Sequence, residues 1–265
     1  MSSLLARARP ALAPLSHAVV EALYPPLCVN CRAEVEEAHA LCPDCWRDTG
    51  FIGRPICLRC GAPVPGAEDA DLCDHCLGRD LAFDRARAAV LYDGIGRRLA
   101  LSFKHGDRLE IARPASAWMV RAGRDLLDGA EMIVPAPLHW TRLLRRRFNQ
   151  AAELGRRVAA LAGAPFRGDA LRRIRRTPPQ GGLGRAEREA NLAGAFAVPP
   201  ARRAAIAGKR VLLVDDVYTT GATLCACAAA LRAGGARRVD ALCFARVASE
   251  GGATISSVSS EDSGT

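Results

Sequence analysis

The stretch that most narrows the folds open to this chain runs from Val211 to Leu224 and reads VLLVDDVYTTGATL. Four apolar residues, Val211 to Val214, follow the turn signal Gly208-Lys209-Arg210 and predict a strand buried on both faces. Two adjacent carboxylates come next, then small hydroxyl residues and a glycine. Leu224 to Arg232 is alanine-rich and predicts a helix, closed by Gly234-Gly235. A buried strand, a tight polar loop and a helix N-terminus make a phosphate cradle, because loop amides and the helix dipole both favour an anion there. Thr219, Thr220 and Thr223 add hydroxyl donors, and Gly221 allows close backbone approach.

Asp215 and Asp216 stand at the carboxyl end of that strand, where open α/β sheets place their ligands. Side by side they can accept hydrogen bonds from two neighbouring sugar hydroxyls while the loop holds a phosphate, which describes a ribose 5-phosphate. The segment has neither the G-x-x-x-x-G-K-[ST] nor the G-x-G-x-x-G pattern of other nucleotide loops. It resembles the phosphoribosyl-pyrophosphate (PRPP) motif of type I phosphoribosyltransferases. The resemblance implies a PRPP site built from Asp215, Asp216, Val217, Tyr218, Thr219, Thr220, Gly221, Ala222 and Thr223, with the two acids as the catalytic pair.

Eight of the eleven cysteines fall in four C-x-x-C pairs: Cys28/Cys31, Cys42/Cys45, Cys57/Cys60 and Cys73/Cys76. Each pair places two thiolates at adjacent corners of a tetrahedron, and two pairs complete a structural zinc site. A disulfide framework needs an oxidising compartment, and redox chemistry needs one pair rather than four. Two zinc sites are therefore expected, with successive pairing (28/31/42/45 and 57/60/73/76) preferred to a cross-braced arrangement. His39 and His75 are read as solvent-facing or as partners of the ligands. A segment this poor in apolar residues depends on its metal to fold. Cys225, Cys227 and Cys243 are read as small core residues. Trp46 and Phe51 are read as caps on a small core rather than base-stacking platforms.

The formal net charge is +9, and lysine appears only at positions 104 and 209, so arginine supplies the other 35 of the 37 basic residues. Such a balance fits a solvated basic surface, or partners rich in phosphate, and charge alone does not choose. No apolar run approaches the ~18 residues a membrane span needs. Pro10, Pro14, His17 and Glu21 interrupt any signal-peptide core. A helical lead-in over 1–24 and a cytoplasmic protein are expected.

The composition changes at Phe83. Strands are predicted over 86–92, 132–134, 195–198 and 239–247, with helices over 97–103, 108–127 (interrupted or restarted at Pro114), from about 151 to Ala162, and 185–192. Strands alternating with helices argue for a parallel sheet. The proline- and glycine-rich stretch 175–183 is read as a mobile lid. The Ser/Gly-rich acidic tail, 249–265, is read as disordered. Lys104, His139, Arg142, Arg145 and Arg147 are candidate pyrophosphate donors, weighed evenly against a solvated helix face.

The order of pieces now carries a second, narrower resemblance. Cysteine knuckles precede YDG…K (92–104), PAPLH…FNQ (135–150), TPPQ…ER…N (177–191) and DDVYTTGAT. This resembles the ComF (GntX-like) family over about residues 20–247, although Arg146-Arg147-Phe148 lacks a glycine that many relatives carry. The resemblance implies an α/β fold, a type I phosphoribosyltransferase-like parallel sheet over 83–248, with an N-terminal cysteine-rich double zinc ribbon over 25–80. It implies two structural Zn2+ ions, Mg2+ with PRPP, and a link to DNA uptake and natural competence, with single-stranded DNA or a DNA-processing protein as partner. The competing reading is a non-catalytic nucleic-acid-binding or partner-docking factor whose PRPP site is a relic or a sensor. No residue marks a general base or names the acceptor.

Overall fold

The structure is a computed structural model that describes residues 24–64, 66, 69, 71–105, 108–138, 148–177 and 185–248. The lead-in to residue 23, the tail from 249 and residues 178–183 of the expected lid (175–183) lie outside the described residues. The chain divides into two compact units, one ending at Asp48 and one beginning at Thr49.

The first unit is a metal knuckle with little regular structure. A bridge joins Leu27 to Glu34, and one short helix, α1 (Pro43–Arg47), follows Cys42. Pro43 suits the first helical position, where an N–H would have no partner anyway.

The second unit is built on a four-stranded parallel sheet, ordered β1-β6-β5-β2, from β1 (Ala86–Leu91), β2 (Met132–Pro135), β5 (Arg210–Tyr218) and β6 (Arg238–Arg246). β5 and β6 are central. Val211 to Val214 are buried on both faces, as a continuous apolar run in a parallel sheet requires. Phe196–Ala197 (β4) does form a strand where one is expected, but it pairs antiparallel with Arg172–Arg173 (β3) in a separate two-stranded ribbon. Along the chain, α2 (Gly94–His105), α3 (Ala112–Ala122) and α4 (Arg124–Leu127) precede β2. Pro114 falls in the first turn of α3 and does not break it. The helices α5 (Gln150–Ala162), α6 (Arg185–Leu192), α7 (Arg203–Ile206) and α8 (Ala222–Ala233) complete the order.

Both outer strands are covered by irregular chain. Along β1, Phe51 bridges Val90, Ile52 N–H donates to Ala89 (2.9 Å), and Leu91 N–H donates to Gly50 (2.7 Å). Along β2, Phe166 bridges Ile133, whose N–H and carbonyl bond Pro165 (2.8 Å) and Arg167 (2.9 Å).

The ribbon carrying Cys57 to Cys76 belongs to this second unit and shares its core. Cys57, Cys60 and Cys76 lie in one apolar cluster with Phe83, Ala86, Leu213 and Tyr218. Ala86 N–H donates to Arg59 (2.7 Å), and the buried Arg87 guanidinium reaches the Leu58 carbonyl (2.9 Å). Only glycine fits at position 61, because its φ is +69° and a Cβ there would stand 2.5 Å from the Ala86 carbonyl oxygen. Phe51 lies edge-on to Trp118 at 5.2 Å, so it packs on the α/β body rather than on the small ribbon core expected for it, whereas Trp46 is 45% exposed.

Candidate functional site

The site grows from the end of β5. The strand extends further than its apolar run predicts: Asp215 pairs with Cys243, Val217 with Ala245 and Tyr218 with Arg246, so both acids lie inside the ladder. Each carboxylate accepts the amide that follows it, Asp216 N–H to Asp215 Oδ1 at 2.9 Å and Val217 N–H to Asp216 Oδ1 at 2.8 Å. Burial pushes the Asp215 carboxyl well above the usual carboxylate range, and the negative charge of Asp216 adds to the effect.

Lys104, at the end of α2, brings its Nζ to 3.7 Å from Asp216 Oδ2. Of the five candidate pyrophosphate donors, it alone falls among the described residues; His139, Arg142, Arg145 and Arg147 lie outside them. The neighbouring loop is tied in by a residue that the sequence reading did not single out. Asn149 caps α5 by accepting from Ala151 N–H (3.0 Å) and Ala152 N–H (3.4 Å), and its Nδ2 donates to the Ala136 carbonyl (3.1 Å). Ala136 N–H in turn donates to Val214 (2.8 Å), which seats the Pro135-Ala136-Pro137 turn beside the acid pair. An asparagine directly before a helical period is the cap signature that could have found it.

Beyond Tyr218 the chain turns through Thr219, Thr220 and Gly221 into α8. Gly221 is the N-cap, with φ +85° and no side-chain cap, so the first-turn amides of α8 face outward without intrahelical partners. Thr220 Oγ1 accepts from Ala222 N–H at 3.4 Å, and Thr219 Oγ1 accepts from Arg188 of α6 at 3.3 Å. Tyr218 contributes backbone only. Its ring is 1% exposed, lies edge-on to Phe83 at 6.1 Å, and forms the floor beneath Gly221, 3.1 Å from where a Cβ would stand. Residues 215 to 223 thus bring two acids, a hydroxyl-rich bend and the first-turn amides of α8 together, with Lys104 beside Asp216. Such an arrangement can take a phosphate at one end and hydroxyl donors at the other.

The cysteines gather as Cys28, Cys31, Cys42 and Cys45 in the first unit and Cys57, Cys60, Cys73 and Cys76 in the second, each set with sulfurs within 4.8 Å of one another. This is the successive pairing. Sulfur separations of 3.6 Å (Cys31–Cys42), 3.7 Å (Cys60–Cys73) and 4.0 Å (Cys57–Cys76) match the roughly 3.8 Å edge of a tetrahedron with ~2.3 Å zinc–sulfur bonds. None is in a disulfide. Amides already point at the sulfurs: Asn30 Nδ2 to Cys45 at 3.1 Å, and the N–H groups of Cys60 and Cys73 to Cys57, each at 3.4 Å. The bonds on Cys57, with the neighbouring Cys60 side chain foremost and burial opposing, push it down to about 4. Neither tetrad includes His39 or His75. Cys227 and Cys243 are fully buried and Cys225 half-buried, as core residues would be.

A phosphoribosyltransferase-type body carrying paired four-cysteine metal sites is the class that these features define. Family models agree, with a double zinc ribbon domain matching residues 19–77 and a phosphoribosyl transferase domain matching residues 155–260. The chain is 30% identical over 203 residues to Competence protein F of Haemophilus influenzae, covering 74% of this chain and 86% of that protein, and it belongs to that family, ComF. It is also 29% identical over 228 residues to DNA utilization protein YhgH of Escherichia coli, covering 84% and 97% of the two chains. A glutamine PRPP amidotransferase structure from B. subtilis aligns over 54% of this chain and 30% of its own, with 18% identity and a TM-score of 0.35.

Proposed function

We propose that this chain binds PRPP with Mg2+ at the end of β5 and acts as a phosphoribosyltransferase-type protein in DNA uptake, working in the cytoplasm. The observation that carries the reading is the juxtaposition of the Asp215/Asp216 pair with the uncapped N-terminus of α8 across the Thr219–Gly221 bend. Phosphate would sit on the amides of residues 221 to 223 and the threonine hydroxyls. The ribose hydroxyls would donate to Asp215 and Asp216, directly or through water on Mg2+, which keeps several waters and takes few protein carboxylates. Lys104, 3.7 Å from Asp216, would face the diphosphate and offset charge as it leaves. The part in DNA uptake follows the names Competence protein F and DNA utilization protein that its relatives carry. No helix among the described residues is long and apolar enough to cross a membrane.

Thermal melting with PRPP and Mg2+ tests the site. A ligand present at about 100 times its Kd stabilises by about 2.7 kcal/mol, and that gain should vanish in Asp215→Ala/Asp216→Ala. Equal melting with and without ligand in the unaltered chain, together with tight salt-dependent binding of single-stranded DNA, would move the assignment to a nucleic-acid-binding factor.

A further inference from the structure

The phosphate loop is held from behind by the second cysteine ribbon. Arg79, three residues past Cys76, donates from Nη2 to the Thr220 carbonyl at 3.2 Å. That carbonyl belongs to the peptide joining Thr220 to Gly221. In a trans peptide the C=O and the following N–H point in opposite directions, so an arginine holding the oxygen outward aims the Gly221 amide into the bend. A carbonyl turned the other way would face an incoming phosphate with its own negative end. Arg79 is placed by the metal knuckle itself: its N–H donates to the Cys76 carbonyl (3.2 Å), and Cys76 and Leu77 N–H groups both donate to Cys73 (2.7 and 3.1 Å). Its guanidinium is also held by His75 Nε2 within the knuckle and by Glu189 of α6 at 3.6 Å. The side chain is 12% exposed, so it does not swing freely in solvent.

A second link joins the same two places. Arg246 of β6, 1% exposed, lies over the Tyr218 ring at 4.6 Å and donates to the Cys60 carbonyl (2.5 Å) and Cys60 Sγ (3.6 Å). Tyr218 is the floor of the loop at Gly221. Cys60 therefore supports the loop from below while the Cys73–Cys76 turn supports it from behind.

We propose that Arg79 is a positioning residue for the phosphate loop, held in place by the Cys57/Cys60/Cys73/Cys76 tetrad, so that this ribbon sets the affinity for the phosphorylated sugar without touching it. The proposal rests on the PRPP reading above. The test is calorimetric titration of PRPP with Mg2+ into the full zinc-loaded chain, with zinc content measured by chelator release and melting recorded without ligand. Arg79→Ala should raise Kd about tenfold, the loss expected for one charge-assisted hydrogen bond, with zinc content unchanged. Arg79→Lys, which keeps a charge and one donor for the Thr220 carbonyl, should recover part of the affinity. Arg54→Ala, which removes the ribbon's own pair with Asp69, should bind as the unaltered chain does. An Arg79→Ala chain that binds PRPP as tightly as the unaltered one overturns the proposal and leaves the PRPP reading intact. So do Arg79→Ala and Arg79→Lys chains that lose affinity only in proportion to lost zinc. No binding by the unaltered chain overturns both.

Discussion

Asp215 is a carboxyl group kept where water is scarce, and its consequence for stability has a definite sign. Its folded pKa lies well above the ordinary 3.8, so the folded chain binds a proton more tightly than the unfolded one. Stability is therefore lost as pH rises from about 4 toward the folded value. Asp215→Asn removes the titration while keeping the shape. It should melt above the unaltered chain at about pH 8, converge with it near pH 4, and show no PRPP-dependent stabilisation; melting curves across that range check all three. The acid pair was legible as a site because two adjacent acids after an apolar run have no place in a buried sheet unless a ligand or cation meets them. What Tyr218 does was not legible. Its ring is turned inward by a strand that persists to the tyrosine itself, past the apolar run that ends at Val214, and nothing in a hydroxyl-rich sequence announces that the tyrosine within it is a floor.

Elements bring in the longer-range geometry. α5 was expected to run to about Ala162, where it does end, stopped by Gly163 with φ +65° as a left-handed cap. Its start matters more for the site, because Asn149 both caps the helix and holds the Ala136 carbonyl. Asn149→Ala should cost about 0.5–2 kcal/mol of stability from the lost cap. It should also weaken PRPP binding by releasing the 135–138 turn beside the acid pair, whereas Asn149→Asp, which keeps only the cap, should spare stability. Denaturant unfolding and ligand titration of the two variants separate the effects. The strand at Phe196 was predicted, but not its partner. β3 is two residues long, and the Arg173 guanidinium that lies over Phe196 across the pair (5.3 Å) is a contact that no periodicity reports.

At the scale of the whole molecule, the four C-x-x-C pairs and their order told of two metal sites, yet not that the tetrads would fall in different compact units. That division is decided by contacts such as Arg246 to Cys60, separated by 186 residues, and Arg87 to Leu58. It predicts unequal effects of metal loss. Cys57→Ser/Cys60→Ser should lower the melting temperature of the α/β body by more than about 10 °C, since each ~1 kcal/mol moves a unit of this size by roughly 2–4 °C and zinc contributes on the order of 10 kcal/mol. Cys28→Ser/Cys31→Ser should leave the body's transition in place and abolish only protection within residues 24–48, as hydrogen exchange would reveal. The irregular segments lying along β1 and β2 have a consequence of another kind. With Ala89 and Leu91 on one rim bonded to Gly50 and Ile52, and Ile133 on the other bonded to Pro165 and Arg167, those stretches offer no open template to a foreign strand, which works against fibril-like growth from them.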